Sequence, residues 1–226
     1  MKLSEHPVVK GCFLLRENRF IARVRLENGE EERVHVPNTG RMKELLTPEA
    51  AVLLSYDPAP HRKTAYTLIA AEYQGIWVSV HAVKANALAA EWLAVQPGIS
   101  DVKREVTYGS SRFDLGCRKD GKQAYFEVKS VNLVVDGAAR FPDAPTTRGV
   151  KHLKELQKAQ SEGFSAGIIF VIQRQDAAFF EPNRATDPAF SDQLKICADQ
   201  GMEIRALRCV LTENSISIEK EIPISV

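Results

Sequence analysis

The sequence predicts a two-domain protein, a small β-barrel followed by an α/β domain with a mixed central sheet. Three observations carry this reading. Short alternating runs separated by turn pairs fill residues 20–80, as expected of a half-buried barrel wall. Helical patterns over 84–94 and 147–161 bracket a hairpin. Finally, Gly167-Ile168-Ile169-Phe170-Val171-Ile172 is a continuous apolar run of the kind buried on both faces in a parallel sheet. With 226 residues and a strand-rich beginning, the chain divides into residues 1–81 and 82–226, the boundary falling between Val80 and Lys84.

Taken in order, Phe20, Ala22, Val24 and Leu26 alternate with Ile21, Arg23 and Arg25 before Asn28-Gly29 turns the chain into Glu32–Val36. Further strands fit 51–56, 65–73 and 76–80, with Gln74-Gly75 as a turn and one short helix over Met42–Leu46. Over 84–94, Ala85, Leu88 and Trp92 make one stripe among helix-favouring alanines, with Glu91 on its flank. Asp120-Gly121 favours a two-residue hairpin turn, which places Lys119 opposite Lys122 and, continuing the register, Asp114 opposite Glu127. Residues 136–147 read as a long loop. Thr146 or Thr147 caps the next helix, Gly163 stops it, and Val150, Leu153 and Leu156 form its buried stripe. Arg148, Lys151, His152, Lys154 and Lys158 crowd its remaining surface. Asp187-Pro188 starts a last helix, Gly201 ends it, and strands over 203–210 and 215–219 close the chain.

The hairpin carries the chemistry. Phe113, Leu115 and Cys117 take one face with Phe126 and Val128, so Asp114, Glu127 and Lys129 share the other, and two opposed carboxylates repel. A divalent cation removes that penalty, and carboxylate oxygens suit Mg²⁺ or Mn²⁺. Lys129 then orients or deprotonates a water, or stabilises charge developing on phosphorus. Arg112 lies on the same face, so diagonal ion pairs from Arg112 to Glu127 and from Lys129 to Asp114 satisfy both acids without metal.

The order Asp114, hairpin, Glu127-x-Lys129 resembles the core of the PD-(D/E)xK nuclease superfamily, with Phe113 where the motif has proline. That resemblance makes Asp114, Glu127 and Lys129 the catalytic candidates, and Glu91 the acid that a preceding helix lends to the metal. Four blocks are also similar to the sugar fermentation stimulation protein A family: 35-HVPNTGRM-42, Arg112-Phe113-Asp114, Glu127-Val128-Lys129-Ser130 and 141-FPDAPTTRGVKHL-153. The family implies an N-terminal OB-like barrel, a nuclease-like second domain, DNA binding and a role in regulating sugar use, particularly maltose.

An OB-fold offers an oligonucleotide-binding face. Candidate nucleic-acid contacts are Arg16, Arg19, Arg23, Arg25, Tyr56, His61, Arg62 and Tyr66 on the barrel, since cations track phosphates and rings stack on bases. Asn38, Thr39 and Arg41 add a turn whose amides suit a phosphate, and Arg148, Lys151 and His152 a second basic surface. Each is also an ordinary solvated residue. The chain carries 30 basic against 29 acidic residues, 11 against 10 through Val80, so neither part is a basic module. DNA or single-stranded nucleic acid is therefore expected to bind through local patches, with modest, salt-sensitive affinity.

Cys12, Cys117, Cys197 and Cys209 lack the spacing of a zinc site or disulfide framework, and no glycine-rich phosphate loop or serine nucleophile elbow appears. Acid and proline come too early for a signal peptide, and no run approaches the roughly 18 apolar residues of a membrane span. The expectation is a cytoplasmic protein without a membrane partner; oligomeric state is not legible. Three readings stay open: a Mg²⁺-dependent phosphodiesterase, a DNA-binding regulator without turnover, and a module for a phosphorylated metabolite.

Overall fold

A computed structural model describes residues 1–109 and 111–226. It contains two compact units, Met1–Val83 with Gln173–Gln175 and Cys209–Ser217, and Lys84–Ile172 with Asp176–Arg208 and Ile218–Val226.

The first unit builds its wall from β1 (Val8–Arg16), β2 (Ile21–Leu26), β3 (Glu31–His35), β4 (Ala51–Tyr56), β5 (Tyr66–Tyr73) and β6 (Ile76–Ser79). The strands run in the order β3-β2-β1-β4-β5, and β3 pairs back onto β5 through Val34 and Tyr66. Five strands thus close on themselves, with β6 as a hairpin partner of β5, which bears out the OB-like barrel. Closure removes the exposed edges that an open sheet leaves. Inward-facing Phe13, Ala22, Val24, Val34, Val52, Leu54 and Leu68 fill the interior. The short helix expected over residues 42–46 is instead a single turn, closed by Leu46 N donating to Met42 O at 2.9 Å. Met42 has a φ of 47°, a left-handed backbone that does not propagate a helix.

The second unit opens with α1 (Lys84–Ala94), followed by β7 (Ile99–Tyr108), β8 (Ser111–Lys119), β9 (Lys122–Val131), β10 (Leu133–Val135), β11 (Ala138–Phe141), α2 (Thr147–Ser161), β12 (Ser165–Ile172), β13 (Phe179–Pro182), α3 (Pro188–Asp199), β14 (Glu203–Leu211) and β15 (Ile216–Glu221). Its main sheet has the order β15-β14-β12-β9-β8-β7. The sheet is mixed, because β12 runs parallel to β9 and β14 while β8 is antiparallel to β9 and β7. A small sheet, β10-β11-β13, adjoins it in sequence. Residues 136–147 are accordingly not one loop: Asp136 and Gly137, with φ of 52° and 78°, make a hairpin turn into β11.

Leu153, Leu156 and Ala159 of α2 and Phe190, Leu194 and Cys197 of α3 pack with Ile168, Phe170 and Ile172 of β12 in one apolar cluster. On α1 the buried residues are Ala85, Leu88, Ala89 and Leu93, so the stripe runs through Leu93 rather than Trp92. Asp187 links two helix starts. One of its oxygens caps α3 at Phe190 N (2.9 Å), and the other accepts from Thr146 N (2.7 Å), the residue whose hydroxyl caps α2 at Gly149 N. Through that carboxylate the first turn of α2, which carries Arg148 and leads into the turn of His152, is held in place. Among the described residues no helix is long and apolar enough to cross a membrane.

Candidate metal centre

The β8–β9 hairpin forms in the expected register, Lys119 opposite Lys122 through Leu115 opposite Phe126, and Asp120 and Gly121 take the positive φ their turn requires. Beyond Leu115 the ladder opens. In continued pairing Val128 N would bond a β8 carbonyl; instead it donates to Asp114 Oδ2 at 2.9 Å. Alternation breaks at the same place. Phe113 shares its parity with Leu115, opposite Phe126, yet its ring packs on Tyr125 at 5.5 Å. The expected pairing of Asp114 directly opposite Glu127 is corrected accordingly: the ladder stops at Leu115, and the Asp114 carboxylate is held by the backbone amide of Val128 instead.

Its other oxygen, Oδ1, accepts from Asn86 Nδ2 at 2.8 Å. Asn86, in the first turn of α1, was missed by sequence reasoning. The available signal was a weak helix former set early in an alanine-rich helix. Glu91 is exposed and lies five residues further along α1, about 140° around the helix from Asn86. The structure therefore does not bring Glu91 to the pair, and among the described residues no group of three or more His, Cys, Asp and Glu side chains is disposed to hold a metal.

Glu127 lies on β9, interior to the sheet, and is 2% exposed. Its Oε1 is bonded to Lys129 Nζ at 2.5 Å and to His152 Nδ1 of α2, while Oε2 is buried with no hydrogen-bond partner among the described residues. Burial opposes ionisation of Glu127, but the hydrogen bond with His152 and the charge and hydrogen bond of Lys129 outweigh it, holding the carboxyl below its ordinary value. Asp114 shifts the other way. Burial and then the negative charge of Glu127 raise it, against the Val128 amide, Lys129 and Asn86. Arg112 does not join this group; it is exposed and pairs with Glu105 at 3.4 Å. His152, expected on a nucleic-acid surface, is instead buried against Glu127 because its position on α2 faces β9. Arg148 Nε donates to His152 Nε2 at 3.3 Å, and Lys151 is exposed beside Glu155 at 3.5 Å.

On the barrel, the cations are largely committed. Arg16 donates to the carbonyls of Gly40, Arg41, Arg19 and Asn38 at 2.6, 3.0, 2.7 and 2.8 Å, so its planar fork holds the 38–41 turn rather than a phosphate. Asn38 Oδ1 accepts from Gly40 N within that turn, and Thr39 and Arg41 are exposed. Arg23 pairs with Glu17, Arg25 with Glu49 and Arg62 with Asp57 at 2.8, 2.5 and 2.6 Å. Arg19 is exposed beside Phe20, an aromatic 52% exposed that sequence reasoning passed over as an inward strand residue. Tyr66 packs against Tyr56, ring centroids 5.0 Å apart.

Comparison with known proteins agrees along the chain. Residues 14–80 match the description "SfsA N-terminal OB domain" and residues 79–215 "Sugar fermentation stimulation protein RE domain". A sugar fermentation stimulation protein homolog of Desulforamulus reducens is 43% identical, covering 96% of this chain and 92% of that protein. One of Acetivibrio thermocellus is 42% identical, with 97% of each covered. The solved structure of Pyrococcus furiosus SfsA in complex with Ca²⁺ superposes with a TM-score of 0.86 at 31% identity, covering all of both chains.

Two measurements follow from the site. Lys129→Met removes one partner of a buried carboxylate and is expected to destabilise the protein by about 3 kcal/mol in urea unfolding. With Glu127→Gln already present the cost of Lys129→Met should shrink by more than half, and additivity of the two would contradict the pairing. The opposite shifts also give opposite pH signs. Asp114, raised above 3.8, contributes stability that is present below that value and lost as pH rises through its folded pKa. Glu127, lowered below 4.5, contributes stability present above that value and lost as pH falls through its folded pKa. In chelator, the stability of wild type relative to Asp114→Asn should therefore fall as pH rises, and relative to Glu127→Gln should fall as pH drops.

Proposed function

The chain belongs to the sugar fermentation stimulation protein family, and we propose that it is a nucleic-acid-binding protein whose Asp114 and Glu127 take a divalent cation to hydrolyse a phosphodiester. In this reading residues 1–81 form the OB-like binding barrel and residues 82–226 a domain of the PD-(D/E)xK nuclease-like kind. One observation carries it: Glu127 Oε2 is a buried, ionised, unpartnered oxygen. Such groups are scarce in native interiors, where an unmet acceptor costs about 1–3 kcal/mol. Asp114, raised in pKa by burial and by the charge of the same Glu127, supplies a second hard oxygen donor.

The residues fit a hard cation. Two carboxylates with water completing the shell is the usual arrangement for Mg²⁺, and Ca²⁺ accepts the same oxygens; the Pyrococcus relative was solved with Ca²⁺. When bound, the cation supplies Lewis-acid polarisation of a phosphoryl oxygen and neutralises charge there. Asn86 and the Val128 amide hold Asp114, so its oxygens do not reorganise on binding. Lys129 keeps a positive charge at the site, which offsets charge developing on phosphorus. On the barrel, Phe20 and Tyr66 supply stacking surface and Arg19 an exposed cation. The pairs of Arg23 and Arg25 are exposed and screened by solvent, so phosphate can displace their acids.

A second reading, a DNA-binding regulator of sugar metabolism without turnover, draws on the remoteness of Glu91 and the engagement of Lys129 by Glu127. A phosphorylated-metabolite module has no such observation behind it.

Calorimetric titration with Ca²⁺ and Mn²⁺ separates these readings when combined with cleavage of single- and double-stranded DNA and RNA in Mg²⁺ or Mn²⁺. Asp114→Asn is expected to weaken cation binding by at least about tenfold and to abolish cleavage, and Lys129→Ala to abolish cleavage alone. Cleavage surviving both substitutions removes this site. Cation and nucleic-acid binding without cleavage transfers the assignment to the regulator.

A further inference from the structure

Among the described residues Glu127 Oε1 has two donors and Oε2 none, and the side chains that create this asymmetry form a chain leading out to the protein surface. Lys129 sits two residues along the same strand and therefore beside Glu127. His152 comes from α2, and Arg148, one helical turn earlier on the same face, donates Nε to its Nε2. Arginine has no lone pair to offer, so Nε2 of His152 must be the acceptor in that bond. The ring proton then resides on Nδ1, and it is Nδ1–H that donates to Glu127 Oε1. The direction of the chain, Arg148 to His152 to Glu127, is fixed by chemistry.

Resting on the cation site proposed above, we propose that His152 is a positioning residue, set in one tautomer by Arg148, that pins Glu127 Oε1 so that Oε2 is presented to the divalent cation. A glutamate carboxylate turns easily about its last bond. Lys129 alone, on a flexible four-carbon stem, follows such a turn. The rigid imidazole on a packed helix does not, because α2 is anchored through Thr146 to Asp187 and through Leu153 and Leu156 to the core. A histidine that orients a metal-binding carboxylate plays the part that carboxylates usually play for metal-binding histidines, and losing such partners typically weakens metal affinity 10–100-fold.

Two readouts test this on the intact chain. In a long-range ¹H–¹⁵N spectrum of the metal-free protein at neutral pH, His152 should show a protonated Nδ1 and an unprotonated Nε2, and Arg148→Met should relax that preference; the reverse tautomer in wild type overturns the proposal. In calorimetry with Ca²⁺, His152→Asn, whose amide NH₂ stands where Nδ1 stood, should keep affinity within about threefold, whereas His152→Leu should weaken it about 10–100-fold. If His152→Leu binds as wild type does while Asp114→Asn does not, the positioning role is wrong and the cation site stands. If wild type binds no Ca²⁺, both fall. Should His152→Leu fail to fold, the spectrum and His152→Asn decide, and a loss in His152→Asn as deep as in Asp114→Asn overturns the proposal.

Discussion

An ionised carboxylate on an interior strand has to be compensated where it stands, because stripping its water costs several kcal/mol that nothing distant returns. Glu127 imposes that requirement on everything around it. Lys129 is drawn to it along β9, and α2 must present His152 at the same height as the strand. The capping carboxylate of Asp187 fixes the start of α2 and so serves the same end. Compensation stops halfway: one oxygen is saturated and the other is left open. The cation proposed above would take the second oxygen.

The opening of the ladder at Asp114 is the second half of the arrangement. Two carboxylates opposed on an intact antiparallel pair would be held apart only by the pleat. Where β8 leaves β9, Asp114 substitutes its side chain for the missing backbone acceptor of Val128 and lies between the strands. Its position follows from the backbone, with Asn86 as a second constraint. On the other side of β8 the pairing with β7 keeps one register from Lys103 opposite Gly116 to Tyr108 opposite Ser111, with Glu105 taking a φ of 56° within it.

The hairpin was legible because the Asp-Gly turn fixes register and register fixes which residues oppose, and the blocks around Asp114, Glu127 and 141–153 pointed to the family. The same logic was available at Asp136-Gly137, where the proline and alanine that follow hid β11. Glu91 reads as the helix's contribution because the resemblance asks for an acid on that helix, whereas the residue of α1 that reaches Asp114 is the amide Asn86. Arg16 and His152 were misjudged for a different reason. A side chain's sequence neighbours do not show whether its donors are spent on carbonyls or on a buried acid, since those partners come from residues 38–41 in one case and from strand β9 in the other. Asn86 reached the site across twenty-eight positions of chain, a separation at which no local pattern reports contact.

The proposed cation lies between the carboxylates of Asp114 and Glu127. The most direct measurement is the anomalous difference map of a crystal soaked in Mn²⁺. It should show one peak in contact with Glu127 Oε2 and an Asp114 oxygen, at roughly the 2.0–2.6 Å of hard-cation coordination, with Lys129 and His152 still on Oε1. A fully occupied manganese elsewhere, with this pair left bare, would contradict it.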